Sequence, residues 1–317
     1  MSNSYKISIL GSGRVGSSIA YTLTVGGVCS EIVLVDIAKQ LAEGEAMDII
    51  QGTPFSNSVN IYSGDYKDVA GSDIVIVTLG RARKPGQTRI ELAQSNVDII
   101  KSVMPQVAEY APNAIYVLVS NPVDILTYAT LKVTNLSPNQ VIGSGTLLDS
   151  SRLRSIVAEK LGISYRNVHG YVLGEHGDSS VVPWSLVSIA GMTIDAYEKA
   201  AGFGDEFIQE DSLAAMEKDM RESGAKVIQN KGATNYAIAM SVRYLCDNIL
   251  RGGNTVMAVS SLMTGQYGME DVCLSIPSII NSSGLVKTLE PQLKEEEVEK
   301  LLNSANVLKN IISTLEF

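Results

Sequence analysis

The stretch "KISILGSGRVGSSIAYTLTVG", residues 6–26, constrains the fold more than any other part of the chain. A short run rich in β-branched residues leads at once into Gly11, Gly13 and Gly16, and then into a helix-compatible segment. The first glycine permits a tight turn and the second lets a pyrophosphate approach the backbone. The third allows helix and strand to pack closely. The helix that follows aims its N-terminus at the phosphates. Glycine-rich turns are common, so the spacing gains its force from what comes next. A second apolar run, "EIVLVD", ends at Asp36, 20 residues beyond Gly16. A carboxylate there can bind both ribose hydroxyls of an adenosine and would repel a 2′-phosphate, which predicts NAD rather than NADP. FAD uses the same fingerprint, so the hydride partner must be read from the catalytic residues.

Further apolar runs lie at 73–80, 114–120 and 141–145, and helical patterns such as Val15–Val25 and Ile90–Tyr110 fall between the five runs. Hydrophobicity that is continuous rather than alternating indicates strands covered on both faces, as in a parallel sheet. The prediction is a Rossmann-type doubly wound α/β domain over residues 1–145. From 146 to 317 the rhythm changes to long helices at Ser150–Leu161, about Asp211–Leu250, and from about Glu295, with strand-like pieces such as "NTVMAVSSLMTGQYG" between them. This predicts a mixed α/β catalytic domain. In the last helix Val298, Leu301, Leu302, Ala305, Leu308, Ile311, Ile312 and Leu315 fall on one stripe. Its "KEEEVEK" start is expected to be a solvated first turn that suits the helix dipole.

The formal net charge of −9 argues against a nucleic-acid partner, which a basic face would serve. No apolar run approaches the roughly 18 residues needed to cross a bilayer, and residues 1–10 carry no secretory pattern. A cytoplasmic protein without a membrane partner is expected. Cys29, Cys246 and Cys273 are far apart and form no C-x-x-C pair, so they are expected to be buried free thiols, with no metal site.

The chain has two histidines, His169 and His176. Glycines and two acids surround the second, in "VLGEHGDSS", which lets other groups come close to the ring. An imidazole titrates near neutrality and so can exchange a proton there. It needs a carboxylate to hold its tautomer, and "GTLLDSSRLR" offers Asp149. Arg152, three residues on and on the same helix face, offers a fork for a substrate carboxylate.

Taken together, "GSGRVG", "VSNPVDILTY", "IGSGTLLDSSRLR", "GEHGDSSVVPWS" and "KGATNYAIA" resemble, in order and spacing, the motifs of the L-lactate and malate dehydrogenase family, from residue 5 to the C-terminus. The resemblance implies hydride transfer between the nicotinamide of NAD and the carbonyl carbon of a 2-oxo acid. In that reading His176 is the acid/base, Asp149 orients it, and Arg152 grips the substrate carboxylate. Asn121 bonds the substrate oxygen and positions the nicotinamide, and Thr234 lines the pocket. The family pattern adds Val15, Tyr66, Gly80, Val119 and Ser144 on the cofactor side. Leu41 falls where many relatives carry a basic residue near the adenosine, which puts that contact in doubt.

The segment "GRARKPGQTRI", 80–90, gathers four basic residues in an acidic chain. Alone it reads as a solvated loop. The resemblance implies a loop that closes over substrate, with Arg89 stabilising the developing oxyanion and Arg83 reading the substrate's far end. Lactate-type members usually have glutamine at that second position. Malate-type members have arginine, commonly in "RKPG", which residues 83–86 spell. The body of the chain is lactate-type, with Glu175 and Thr234 in place of a glycine and an alanine. An L-lactate dehydrogenase is implied, with malate dehydrogenase or mixed specificity as the alternative that Arg83 carries. An NAD-dependent glycoside hydrolase-like enzyme and a non-catalytic dinucleotide-binding protein are remoter readings. Arg154 and His169 match a pair that holds fructose 1,6-bisphosphate in allosteric members, and the resemblance also implies a homotetramer.

Overall fold

The parallel core forms around β1 (Lys6–Leu10), which pairs with β2 (Glu31–Val35) on one side and β4 (Ile74–Val77) on the other. Ile9 stands opposite Leu34 and Ile76 across the ladder. β3 (Asn60–Ser63) extends the sheet beyond β2, while β5 (Ile115–Leu118) and β6 (Val141–Gly143) extend it beyond β4. The intervening helices are α1 (Arg14–Gly26), α2 (Lys39–Gly52), α3 (Arg89–Tyr110) and α4 (Val123–Val133). The computed structural model describes residues 4–81, 88–202 and 210–317.

Alternate residues of the central strands enter two separate cores. Ile7 and Ile9 pack with Ile19 and Leu23 of α1, whereas Leu10, Val75 and Val77 pack with Val97 and Ile100 of α3. Each such fully buried side chain contributes roughly 1.5–3 kcal/mol relative to an exposed one. This two-sided burial is why the strands read as uninterrupted apolar runs, and it is the doubly wound α/β arrangement expected.

The second half supplies α5 (Leu147–Leu161), the short strands β7 (Val168–His169), β8 (Ser188–Ile189) and β9 (Met192–Thr193), and α6 (Ile194–Ala201). It continues with α7 (Glu210–Lys231), α8 (Tyr236–Arg251), β10 (Thr255–Thr264), β11 (Glu270–Asn281), β12 (Gly284–Thr288) and α9 (Glu295–Ile312). β10 lies beside β6 through the pair Ser260 and Gly143, so the main sheet runs β12-β11-β10-β6-β5-β4-β1-β2-β3. α8 joins the first-half core, placing Ala239, Val242 and Leu245 with Ile19 and Leu23.

Three expectations need correction and one strand was missed. The single helix over about 211–250 is two, parted at 232–235, where Gly232 has φ +84°. β3 escaped notice because "NIYS" offers a polar start and little apolar length. The catalytic-side helix begins at Leu147, earlier than Ser150. The start of α9 is not wholly solvated: Glu297 is buried and accepts hydrogen bonds from the Ser185 amide and hydroxyl. The three cysteines are buried free thiols, and burial pushes the Cys29 thiol up to about 12.

Candidate active site

On the cofactor side, the glycine turn is shaped by close backbone contacts. Gly11 has φ +96°, and a Cβ on Gly16 would lie 1.9 Å from the Gly11 carbonyl oxygen, so both positions exclude side chains. Gly13 is different. Nothing lies within 4 Å of where its Cβ would stand, which leaves open space at the N-cap of α1. That is what a pyrophosphate seated on the helix N-terminus requires. Asp36 accepts the Ser12 amide at 2.6 Å and the Ala38 amide at 2.8 Å, so one carboxylate fixes both the turn and the end of β2. Each carboxylate oxygen keeps further acceptor capacity for a ribose hydroxyl. Tyr66 begins a short helical turn, and burial, then the charge of Asp36, raises its phenol. Gly80, after β4, has φ +151° and faces the Asn96 side chain.

On the substrate side, α5 carries Asp149 and Arg152 one turn apart, and Arg152 Nη1 donates to Asp149 Oδ1 at 2.8 Å. The other Asp149 oxygen lies 2.5 Å from His176 Nδ1. The imidazole thus has its Nδ1 side occupied, and Nε2 remains for substrate. Burial is the largest influence and opposes the imidazolium, but the charge and hydrogen bond of Asp149, joined by the charge of Asp124, together outweigh it, and His176 stands above the ordinary histidine value. Burial likewise opposes the Asp149 anion. His176 and Arg152 overcome it and hold that carboxyl below the usual range.

A cavity of about 90 Å³ gathers Val15, Val119, Asn121, Ser144, Gly145, Leu148, Arg152, His176, Thr234 and Ile238. Residues from both halves of the chain therefore line one space, with the cofactor-side Val15, Val119 and Ser144 beside the substrate-side groups. Thr234 reaches it from the break between α7 and α8, which Asn235 ties to α1 through Ser18 at 2.8 Å. Arg89 is the first residue of α3 and pairs with Asp178, both half or more exposed, outside the set that lines this cavity. Arg83 lies outside the described residues. Arg154 and His169 line a separate cavity of about 440 Å³.

Two site-building residues went unnoticed in the sequence. Asp124, buried in the first turn of α4, accepts the His176 amide at 2.8 Å, and burial pushes its carboxyl up to about 6. Asn96, buried on α3, accepts the Arg81 amide and donates to the Asn121 carbonyl, both at 2.8 Å. The available signal was a polar residue on an apolar helix face, between Val123 and Ile125 in one case and near Ala93, Val97 and Ile100 in the other.

A carboxylate grip, a proton donor held by a carboxylate, and an adjoining dinucleotide turn together suit proton-coupled hydride chemistry on a small oxo acid. Comparison with known proteins agrees. Residues 5–143 match the family model described as lactate/malate dehydrogenase, NAD binding domain. Residues 146–316 match lactate/malate dehydrogenase, alpha/beta C-terminal domain. The chain is 45% identical to the L-lactate dehydrogenase of Acetivibrio thermocellus, covering 98% of this chain and 97% of that one. It is 46% identical to L-lactate dehydrogenase 1 of Clostridium acetobutylicum, covering 99% and 100%. The crystal structure of the minor L-lactate dehydrogenase from Enterococcus mundtii superposes with a TM-score of 0.94 at 36% identity, covering 99% of each chain.

Proposed function

Since the chain belongs to the lactate/malate dehydrogenase family and is an NAD-dependent dehydrogenase, we propose that it interconverts pyruvate and L-lactate. The observation that carries this reading is the convergence of His176 and Arg152, both bonded to Asp149, with Asn121 and Thr234 around one cavity. NAD, when bound, supplies or accepts the hydride at the substrate's second carbon. Gly11, Gly13, Gly16 and Asp36 hold its adenosine and pyrophosphate, with Val15, Tyr66, Gly80, Val119 and Ser144 along the rest. Arg152 takes the 1-carboxylate through two parallel hydrogen bonds, and Asn121 bonds the carbonyl oxygen. His176 gives that oxygen its proton, and Asp149 stabilises the imidazolium beforehand. Arg89 leaves Asp178 to stabilise the developing oxyanion, an exchange made easy because exposed ion pairs contribute only about 0–1 kcal/mol.

Oxaloacetate reduction to malate is the second reading, carried by Arg83 within "RKPG". The relatives at 45 and 46% identity bear the name L-lactate dehydrogenase, which weighs toward pyruvate. Steady-state rates with both acids and NADH decide between them. Pyruvate is expected to have the higher kcat/KM, and Arg83→Gln to lower use of oxaloacetate far more than use of pyruvate. A site built to bond a group can discriminate by about 10⁴-fold or more, so the effect of Arg83→Gln should be plain; a wild-type preference for oxaloacetate would overturn the assignment.

A homotetramer fits the exposed apolar side chains Tyr21, Val25, Met47, Tyr236, Met240 and Tyr244 on α1, α2 and α8. Arg154 and His169, lining one cavity with Ser151, Ser155 and Tyr165, support an anion site for fructose 1,6-bisphosphate giving modest activation. Among the described residues no helix is long and apolar enough to cross a membrane. The cytoplasm is the compartment that suits this reaction.

A further inference from the structure

Helix α7 meets the site at two places one turn apart. Arg221 donates from Nη2 to the Ser180 carbonyl at 2.9 Å and from Nε to the Ser180 hydroxyl at 3.3 Å. Ser180 stands four residues after His176. Gly224 lies three residues farther along α7, on the same face. A Cβ placed on it would sit 3.5 Å from Arg152 Nη2. One helical turn therefore spans from the segment bearing the proton donor to the guanidinium that grips carboxylate. The same helix ends at the break that carries Thr234.

Arg221 is itself held. Glu217 accepts from Arg221 Nη2 through Oε2 and from the Trp184 indole through Oε1, each at 2.8 Å. A solvated i,i+4 ion pair alone contributes little. Here the Glu217 side chain is 18% exposed, and both of its oxygens are engaged. The backbone they secure, 180–184, runs directly on from the His176 turn.

We infer that Arg221 is a positioning residue of the reaction. With Glu217 it fastens residues 176–184 to α7, so that His176 keeps a fixed spacing from Arg152 and Thr234. This rests on the 2-oxo acid reduction proposed above. Reacting groups tolerate little displacement: an error of about 1 Å can lower the rate about 100-fold. The NAD-binding turn lies elsewhere, around Gly13 and Asp36, and does not depend on this fastening.

Trp184 is the sole tryptophan, so its emission reports the contact with Glu217. The test uses the full-length enzyme with Arg221→Met, Arg221→Lys and Glu217→Gln. Expected for Arg221→Met are a kcat/KM for pyruvate lowered about tenfold, NADH affinity within about twofold of wild type, and a shifted Trp184 emission. Arg221→Lys, with one nitrogen for three acceptors, should fall between. Should Arg221→Met fail to bind NADH, Glu217→Gln decides by the same criteria, because it preserves volume while setting an amide N–H toward either Arg221 or the indole. Variants with shifted emission but wild-type kcat/KM would overturn the inference. A wild type that reduces no 2-oxo acid would instead sink the underlying reaction.

Discussion

His176 is held from two sides, its ring by Asp149 and its amide by Asp124, and the two carboxyls respond to their surroundings in opposite ways. Asp149 has two cationic partners and stays ionised below the usual carboxylate range, so its stabilising effect is present above the unfolded value of 3.8 and fades as pH falls through its lowered value. Asp124 has burial against it. Raised to about 6, it makes stability decline as pH rises from 3.8 toward 6. For His176 the raised value means that its contribution is complete below the unfolded 6.5 and is lost as pH rises through the folded value. Pyruvate reduction needs the protonated ring, so kcat/KM is expected to fall with rising pH at an inflection above 6.5. Asp149→Asn should move that inflection down, and a profile unchanged by the substitution would contradict the pairing. His176→Asn is expected to lower the rate by about 10²–10⁴-fold in single-turnover measurements.

At the scale of elements, the glycine turn was legible because its constraints are local. Three glycines, one strand and one helix N-terminus satisfy each other within residues 6–26. Gly16→Ala would drive a Cβ into the Gly11 carbonyl, and the overpacking is expected to destabilise the fold by about 1–3 kcal/mol. NADH affinity, measured by fluorescence titration, should weaken with it, whereas unaltered binding would mean that the turn does not seat the dinucleotide. The break between α7 and α8 was less legible. "NKGATNYAIA" keeps helical spacing on both sides, and only the positive φ of Gly232 and the Asn235–Ser18 bond to α1 separate the helices. Thr234 could be assigned to the pocket by resemblance, whereas the long-range bond of its neighbour Asn235 to α1 is visible only in the folded chain.

For the whole molecule, a sheet running from β12 to β3 draws both halves of the chain around one site, and α8 shares a core with α1. The same helices leave Tyr21, Met240 and Tyr244 exposed by half or more, apolar surface that the proposed assembly would cover. Sedimentation is expected to give a species about four times the monomer mass under assay conditions, and a monomer there would refute the assembly. Substrate saturation curves should shift modestly with fructose 1,6-bisphosphate and lose that response in Arg154→Gln. Curves that coincide with and without it would remove the anion site from regulation.

The alternation of strands and helices in the first half, β3 excepted, the dinucleotide turn, and the residue types of the acid/base pair were determined by sequence alone. They depend on short-range sterics and on periodicities that a chain displays without folding. Tertiary structure decided the rest. It chose which carboxylates surround His176, it brought Val15, Asn121, Arg152 and Thr234 to one cavity, and it set α7 against both the His176 segment and Arg152. Those contacts join residues far apart in the chain, and the burial that sets their charges exists only once the layers have packed.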